Sequence, residues 1–335
     1  MVSSGLNATA QEVSDNTLLN GRNNRLGNLS LQQICQLKPE HIQYQHRKDI
    51  LLAMRRILAC SDQLFSVDDI ERLVSLARYL CDWPALLRLQ ELGLWQASAI
   101  EIAQAEIQMG RFDRALARVD IALQSQACDM GLVIAKQELE QTVKNMPYPL
   151  AELTNGPVSL TPVHFHHVAD FGWQYADSSI AELCSLPGFP SAQHWMHWLY
   201  CCQQEKERSL FAVIHQAYGF IGSVSLQVFN GLGFFYYWLG TDFQGMGLGP
   251  TAVEILMRIG RCYLGMESCY AKVFDYNIAS NKAIAKLGFE RLPFKALPPS
   301  EAEVFYYLGD PRDSGDHYQH LGWLLDAMRS GIILQ

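Results

Sequence analysis

The chain has 335 residues, of which 49% are hydrophobic and 18% charged, and its formal net charge at pH 7 is -8. A single hydrophobic core usually stops growing at about 250 residues, so this length predicts two domains. The modest negative charge argues against a surface that neutralises many nucleic-acid phosphates, and we expect no nucleic-acid partner.

The nine cysteines are scattered and include no C-x-x-C pair, a pattern typical of reduced thiols in a cytosolic protein. The sequence has no uncharged apolar stretch of about 18 residues and no basic segment followed by an apolar run of signal-peptide length. We therefore expect a cytoplasmic protein that is not exported by that route and does not span a membrane.

The chain begins with residues 1–28, which are rich in Asn, Ser and Gly, show no sustained apolar period and are predicted to be disordered. Over residues 29–150 the composition changes. Apolar residues recur at spacings of three and four, and Gly and Pro are scarce. This pattern predicts a helical domain.

Residues 97–126 predict two helices joined by a turn at residues 110–113. The second helix places its small and apolar side chains on one face: Ala115, Leu116, Val119 and Leu123. The segment resembles one tetratricopeptide repeat, and residues 76–94 resemble a degenerate second copy. A generic helical hairpin is the alternative interpretation.

The polar stretch 145–159 contains prolines and predicts the boundary between the two halves. Beyond it, predicted strands and helices alternate, with strands at 158–163, 209–215, 219–228, 232–239, 268–274 and 302–308, and helices at 170–183 and 191–206. This is a mixed α/β pattern. The predicted fold class is therefore α+β, with a helical domain at 29–150, a second domain at 157–310 and a helical tail at 311–335.

The most informative segment is an aromatic strand that leads into a glycine-rich loop and an amphipathic helix starting near Pro250. The loop consists of Gln244, Gly245, Met246, Gly247, Leu248 and Gly249. A helix N-terminus offers unpaired N–H groups and the positive end of the helix dipole, and glycines let the backbone approach a phosphate closely. The pattern predicts an anion cradle. The Walker A and dinucleotide fingerprints do not fit it, whereas an ordinary tight connection would also use these residues.

The loop matches the pattern Q/R-x-x-G-x-G/A at Gln244, Gly247 and Gly249. Downstream, the predicted strand at 268–274 leads into DYNIASNKA and then KLGFE. Together the two motifs resemble the GNAT (general-control-related N-acetyltransferase) superfamily. N-x-x-S followed by K-L-G-F is similar to its ribosomal-protein N-terminal acetyltransferase branch, whose opening segment residues 166–199 also resemble.

The resemblance implies a mixed central sheet flanked by helices and an N-acyltransferase that uses acetyl-coenzyme A or a longer acyl-coenzyme A. The amine would attack the thioester directly in a ternary complex. The loop would bind the coenzyme A pyrophosphate, and the backbone N–H groups of Trp238 and Leu239 would hold the thioester carbonyl.

The same resemblance assigns catalytic roles beside the second motif. Asn277 would hydrogen-bond near the pantetheine arm, and the Ser280 hydroxyl would bind there and protonate the departing thiolate. Tyr276 is an alternative acid. A plain helix N-cap at Asn277 and Ser280 is the alternative interpretation, and both can hold together.

No general base is assigned. Many members of the branch carry a glutamate where this sequence has Phe234 and Phe235. The candidates by location are Asp242, Glu207, His215, His164, His166 and His167, and bulk water would also suffice. His164 and His166 would share one side of a strand. We expect no metal, because the family uses none and no third ligand follows.

Aromatic residues are dense around the expected site, and core packing explains most of them. We expect Trp173, Tyr175, Phe235 and Tyr237 to contact the substrate. A phenylalanine in place of the carboxylate would leave an apolar channel. This favours an acyl group longer than acetyl.

The helical domain favours a peptide or protein acceptor, including a ribosomally made peptide with a leader segment, because repeat-like helix pairs present grooves for peptides. Two alternatives stay open. The acceptor could be a small amine such as an antibiotic, a polyamine or an amino sugar, or the protein could be a non-catalytic coenzyme A-binding regulator.

Overall fold

The computed structural model describes residues 26–60, 63–144, 146, 148–184 and 186–335. The chain separates into two compact units, one made of Met1–Lys144 with Ala217–Gly219 and the other of Asn145–Gln216 with Phe220–Gln335. Of the segment predicted to be disordered, residues 1–25 lie outside the described residues. The α+β fold class is confirmed, since the first unit is built of helices and the second holds a mixed sheet.

The helical unit consists of seven α-helices in the described residues: α1 (Leu31–Cys35), α2 (Tyr44–Ala59), α3 (Val67–Tyr79), α4 (Trp83–Glu91), α5 (Ala99–Gln108), α6 (Phe112–Ser125) and α7 (Met130–Lys144). Side-chain caps fix several of their starts. Ser98 caps α5, where its hydroxyl accepts from the Glu101 N–H at 3.2 Å while the Glu101 carboxylate accepts from the Ser98 N–H at 3.0 Å. Such a reciprocal cap satisfies two amides that a helix leaves unpaired.

Helices α5 and α6 form the hairpin predicted at residues 97–126. The turn contains Gly110 with φ of +68°, and the Arg111 N–H donates to the Glu106 carbonyl at 2.9 Å. On α6, Ala115 and Val119 are fully buried. Leu116 and Leu123, which were expected on the same face, are half-buried.

The second unit contains the helices α8 (Val168–Tyr175), α9 (Ser178–Cys184), α10 (Ala192–Gln204), α11 (Leu248–Tyr263), α12 (Ile278–Lys286) and α13 (Ser314–Ala327). The predicted helix at 170–183 is thus two helices. They are separated at Asp177, whose carboxylate accepts from the Ser179 N–H at 3.0 Å and so starts α9. Helix α11 begins at Leu248, two residues before the expected start.

The strands of this unit are β1 (Thr154–Asn155), β2 (Val158–Pro162), β3 (Arg208–His215), β4 (Gly219–Phe229), β5 (Leu232–Leu239), β6 (Ser268–Phe274), β7 (Glu290–Arg291) and β8 (Glu303–Leu308). They form one sheet in the order β1-β2-β3-β4-β5-β6-β8-β7. Strands β5 and β6 are parallel, and β4 with β5 and β6 with β8 are antiparallel. The sheet is therefore mixed, with its parallel pair near the middle.

The two faces of the sheet are covered by different helices. On one face, the buried Phe234 packs with Leu321 and Leu324 of α13, and Tyr236 lies against the same cluster. We call this the α13 face. On the other, Gly249 at the start of α11 lies so close to β5 that an added Cβ would be 3.0 Å from the ring of Tyr237. We call this the α11 face; successive β5 side chains alternate between the two.

No helix in the part of the chain that the structure describes is both long and apolar enough to cross a membrane.

The close packing of the α5–α6 hairpin yields a prediction. Ala115 is fully buried and Ala117, on the same helix, is exposed. We expect Ala115→Leu to lower the free energy of unfolding by about 1–3 kcal/mol, because added methyl groups strain a filled core. Ala117→Leu should change it by less than about 0.5 kcal/mol. Urea denaturation followed by circular dichroism measures both variants, and equal losses would contradict the packing.

Candidate active site

Strands β5 and β6 separate halfway along the sheet, and this separation places the site. They pair from Leu232–Phe235 with Ser268–Ala271. Beyond this point β5 stays paired with β4 as far as Leu239, whereas β6 stays paired with β8 as far as Phe274. Within the described residues, the edge of β5 from Tyr236 to Leu239 therefore has no paired strand on its β6 side.

The pairing of β5 with β4 decides which β5 amides face this gap. The Gly240 N–H donates to the Ile221 carbonyl of β4 at 2.9 Å. Backbone groups of an antiparallel strand alternate in direction, so the N–H of Trp238 also faces β4. The N–H groups of Tyr237 and Leu239 face the gap.

This alternation corrects one expectation from the sequence. The N–H of Trp238 belongs to the ladder with β4, where Trp238 pairs with Ser223, and cannot also hold a group in the gap. The N–H that does face the gap beside Leu239 is that of Tyr237. The sequence motif located the strand but not the direction of each amide along it.

The glycine-rich loop follows β5 and is fastened to its end. The side-chain amide of Gln244 donates to the Leu239 carbonyl at 3.0 Å. Gly245 and Gly247 have φ values of +74° and +79°, in the left-handed region that glycine adopts most readily. An added Cβ at either position would meet no atom within 4 Å. Glycine is therefore required here by backbone conformation, not by lack of space.

Helix α11 begins in this loop with Gly247 as its N-cap. The Thr251 N–H donates to the Gly247 carbonyl at 3.3 Å. The N–H groups of Gly247, Leu248 and Gly249 precede this bond and lie outside the helical ladder. Gly247 and the preceding Met246 are exposed. Free N–H groups and the positive end of the helix dipole give this loop the properties of an anion cradle.

The second motif lies where β6 leads into α12. Asn277 caps α12, and its Oδ1 accepts from the Ser280 N–H at 3.1 Å. Burial raises the pKa of the Tyr237 phenol, and a side-chain hydrogen bond from Ser280 lowers it only in part, so the phenol stays protonated at neutral pH. Tyr276, by contrast, is 59% exposed and its ring stacks on Phe274.

A cavity of about 350 Å³ occupies the gap between β5 and β6. Its lining comes from both faces of the sheet. On the α11 face the lining residues are Phe235, Tyr237, Ala271, Val273, Asn277, Ser280 and Ile284. On the α13 face they include Arg208, Ser225, Gln227, Tyr236, Lys272 and Glu303, with Leu183, Cys184, Leu186, Pro187, Trp198, Met328 and Ile332 around them. The cavity thus reaches both sides of the sheet through the gap.

Two of the four aromatic residues expected to contact the substrate line this cavity, namely Phe235 and Tyr237. Tyr175 packs behind Trp238, with 5.6 Å between ring centroids, and its hydroxyl donates to a backbone carbonyl at 3.2 Å. Neither Tyr175 nor Trp173 is among the lining residues. Both lie on α8, and Tyr175 belongs to the aromatic packing beneath the sheet.

The histidine cluster forms a turn cap. The His167 Nδ1 accepts from the His164 N–H at 3.0 Å. Burial lowers the pKa of His167 well below its usual 6.5 and that of His166 to about 4, so both rings are neutral at pH 7.

None of the candidate bases named from the sequence lines the cavity: Asp242, Glu207, His215, His164, His166 and His167. Among the described residues, no group of three or more His, Cys, Asp or Glu is placed to hold a metal ion.

The cavity also contains an ion pair that the motifs did not indicate. Glu303, the first residue of β8, pairs with Lys272 of β6 at 2.5 Å, and their side chains are 7% and 11% exposed. The sequence shows a glutamate at the head of a predicted strand and a lysine inside another. Only the strand order brings them together, because β8 lies beside β6 although α12 and β7 separate them along the chain.

Residues 158–290 match the family model described as Acetyltransferase (GNAT) domain. The chain carries a GNAT acetyltransferase domain. The family expected from the two motifs is thereby confirmed for this segment, and with it the enzyme class, since the domain is that of an acyl-coenzyme A-dependent N-acetyltransferase. The acyl donor that GNAT acetyltransferases use is acetyl-coenzyme A.

No curated protein matches this chain. Among solved structures, the chain is similar to a Salmonella typhimurium acetyltransferase described as modifying the N-terminal serine of ribosomal protein L7/L12. The two sequences are 16% identical, the match covers 47% of this chain and 97% of that chain, and the TM-score is 0.42. A probable acetyltransferase from Chromobacterium violaceum has 18% identity, 49% and 88% coverage, and a TM-score of 0.44. Spermidine N-acetyltransferase from Vibrio cholerae has 14% identity, 46% and 96% coverage, and a TM-score of 0.41. Similarity at this level does not indicate which acceptor the protein uses.

The glycine loop of the GNAT domain can be tested with a matched pair of glycines. Gly247 and Gly265 both have positive φ, +79° and +66°, and open space around the α-carbon. We expect Gly247→Ala and Gly265→Ala to cost a similar 1–2 kcal/mol or so of stability, because both force an L-residue into a left-handed conformation. Only Gly247→Ala should weaken coenzyme A binding, by about tenfold or more, since relief of the strain redirects the first amides of α11. Calorimetric titration with coenzyme A measures this; equal affinities in the two variants would contradict the cradle.

Proposed function

We propose that the GNAT domain transfers the acyl group of acetyl-coenzyme A or a longer acyl-coenzyme A to an amine of a peptide or protein. The amine attacks the thioester directly in a ternary complex. One observation carries the proposal: a single cavity is lined from both faces of the sheet at the β5–β6 gap, and the anion cradle follows directly from β5. A donor held at the cradle and an acceptor in the cavity would meet at this gap.

The loop Gln244–Gly249 binds the pyrophosphate in this proposal. Its support is the set of N–H groups at Gly247, Leu248 and Gly249 that lie outside the helical ladder. Gln244 contributes indirectly, since its side chain is engaged with the Leu239 carbonyl and fixes the loop to the end of β5.

The thioester carbonyl is held by the N–H groups of Tyr237 and Leu239. Both face the gap, and their strand is fixed on the opposite side by the ladder with β4. Donors that are positioned before reaction stabilise the negative charge that develops on the carbonyl oxygen, because they need no reorganisation. No side chain is needed for this role.

Ser280 protonates the departing thiolate. Ser280 lines the cavity close to the Tyr237 phenol, which is protonated at neutral pH. Asn277 positions Ser280 by capping α12. Tyr276 is the weaker candidate, because its side chain is largely exposed and is not among the cavity residues. A coenzyme A thiolate leaves readily, so this acid contributes modestly.

The aromatic lining supports an acyl group longer than acetyl. Phe235 and Tyr237 line the cavity together with aliphatic residues of α9 and the segment that follows it. A cavity of about 350 Å³ lies within the range of about 300–1,000 Å³ that binds small organic ligands. The apolar side chains of its walls would pack around an alkyl chain.

The acceptor is the least constrained part of the proposal. The repeat-like hairpin α5–α6 supports a peptide or protein acceptor docked by the helical unit, since stacked helix pairs commonly bind peptide segments. The small volume of the cavity favours a second candidate, a small amine such as a polyamine, an amino sugar or an antibiotic. Either acceptor would place one amine in the same cavity.

Intact mass spectrometry tests the proposal. The protein is incubated with acetyl- and decanoyl-coenzyme A and a panel of peptides, leader-bearing peptides and small amines. We expect a mass gain of one acyl group on a peptide, with decanoyl transfer at least as fast as acetyl transfer. A gain confined to small amines would contradict the peptide acceptor, and strict preference for acetyl would contradict the long acyl chain.

A further inference from the structure

The α13 face of the sheet carries a polar strip inside the cavity. Ser225 of β4 lies directly opposite Tyr236 of β5, so their side chains share that face. Lys272 lies two residues after Tyr270, and Glu303 lies two residues before Phe305; both of these neighbours pack on the α13 face. Four strands thus bring Ser225, Tyr236, Lys272 and Glu303 to one side of the sheet.

Two oxygen atoms of this strip have no hydrogen-bond partner within the part of the chain that the structure describes. The Glu303 side chain is 7% exposed, and its Oε1 is bound by the Lys272 ammonium at 2.5 Å. Its Oε2, and the Oγ of the buried Ser225, have no hydrogen-bond partner among the described residues. A buried carboxylate oxygen without a donor is costly. Both atoms belong to residues that line the cavity.

The electrostatics of Tyr236 indicate that the Glu303 carboxylate lies close to β5. Burial raises the pKa of Tyr236, the charge of Glu303 raises it further, and the charge of Arg208 lowers it. Tyr236 directly precedes Tyr237, whose N–H faces the gap. The carboxylate is therefore beside the gap, on the face opposite α11.

The walls around the strip are largely apolar. The lining includes Leu183, Leu186, Pro187 and Trp198, and also Met328 and Ile332, which follow α13. The Glu303 carboxylate is paired with Lys272 through Oε1 alone, so its Oε2, in a cavity with these apolar lining residues, suits a ligand with a hydrocarbon stem and a cationic head. Of the cations that amine acceptors offer, a primary ammonium donates three N–H bonds and can satisfy Glu303 and Ser225 together.

We propose that Glu303 Oε2 and Ser225 Oγ bind the primary ammonium of the acceptor, and that Glu303 is the general base that removes its proton. This inference rests on the proposed function, because it names the acceptor head group and the base of the same reaction. It replaces every base candidate named from the sequence.

The proton balance is as follows. The ammonium R–NH3+ gives one proton to the Glu303 carboxylate, and the neutral amine forms a C–N bond to the thioester carbonyl carbon. The C–S bond breaks with its electron pair going to sulfur, and the thiolate takes up the second proton lost by nitrogen, directly or through Ser280. Glu303 then releases its proton to solvent. The Lys272 charge assists, because a nearby cation lowers the pKa of the bound ammonium.

Binding of n-butylammonium chloride tests the site without turnover. With coenzyme A present, we expect saturable binding to the full chain. n-Butyltrimethylammonium carries the same charge but no N–H, and should bind about tenfold more weakly. Glu303→Gln should also weaken n-butylammonium binding about tenfold, whereas Glu301→Gln, an exposed residue two positions earlier, should not change it. Equal binding by wild type and Glu303→Gln, or none by wild type, would overturn the inference.

Loss of Glu303 leaves the Lys272 charge buried, so folding needs its own control. The double variant Glu303→Gln with Lys272→Met removes both charges, and thermal unfolding shows whether it folds. It should bind n-butylammonium as weakly as the single variant. Wild-type affinity in the folded double variant would overturn the role of Glu303.

The pH dependence of turnover separates a base from a structural residue. For a peptide with a free N-terminus and no lysine, Glu303→Gln should lower kcat/KM about 100-fold near pH 6. The deficit should shrink as pH rises through the amine pKa of about 7.7–8.0, since free neutral amine needs no base. A deficit that stays constant with pH would overturn the base assignment. Absence of any transfer by wild type would instead contradict the proposed function, and the binding experiment would still decide the ammonium site.

Discussion

The structure of the second unit depends on one constraint, the loss of pairing between β5 and β6 after Phe235 and Ala271. Each strand keeps its outer neighbour, so the sheet stays intact while its middle opens. The opening leaves backbone N–H groups exposed on the inner edge of β5. In a closed sheet these N–H groups would be hydrogen-bonded to β6. A fixed row of unsatisfied donors in a cavity is what an acyl-transfer site requires.

The gap also brings together features that lie on opposite faces. Gly249 packs on Tyr237 on the α11 face, which directs the start of α11 to the end of β5 and sets the anion cradle there. On the α13 face, α13 packs against Phe234, and Glu303 lines the cavity. In the proposed reaction, backbone groups would hold the acyl donor and buried side chains would hold the acceptor.

The sequence predicted the fold class, most strands, the glycine loop before α11 and the family, because these depend on local patterns and on spacing along the chain. It placed the gap-facing amide one residue late, at Trp238 rather than Tyr237, since the direction of an amide depends on register with β4. It also missed Glu303 and Lys272, whose pairing depends on β8 lying beside β6. Trp173 and Tyr175 were expected at the substrate because they are aromatic, yet composition does not distinguish a packing ring from a lining one.

The most direct test of the account is a crystal structure of the protein with coenzyme A. We expect the pyrophosphate oxygens within hydrogen-bond distance of the N–H groups between Gly245 and Gly249. We expect the sulfur atom in the β5–β6 gap, beside Tyr237 and Ser280. A pyrophosphate bound away from the start of α11, or a sulfur atom outside the gap, would contradict the account.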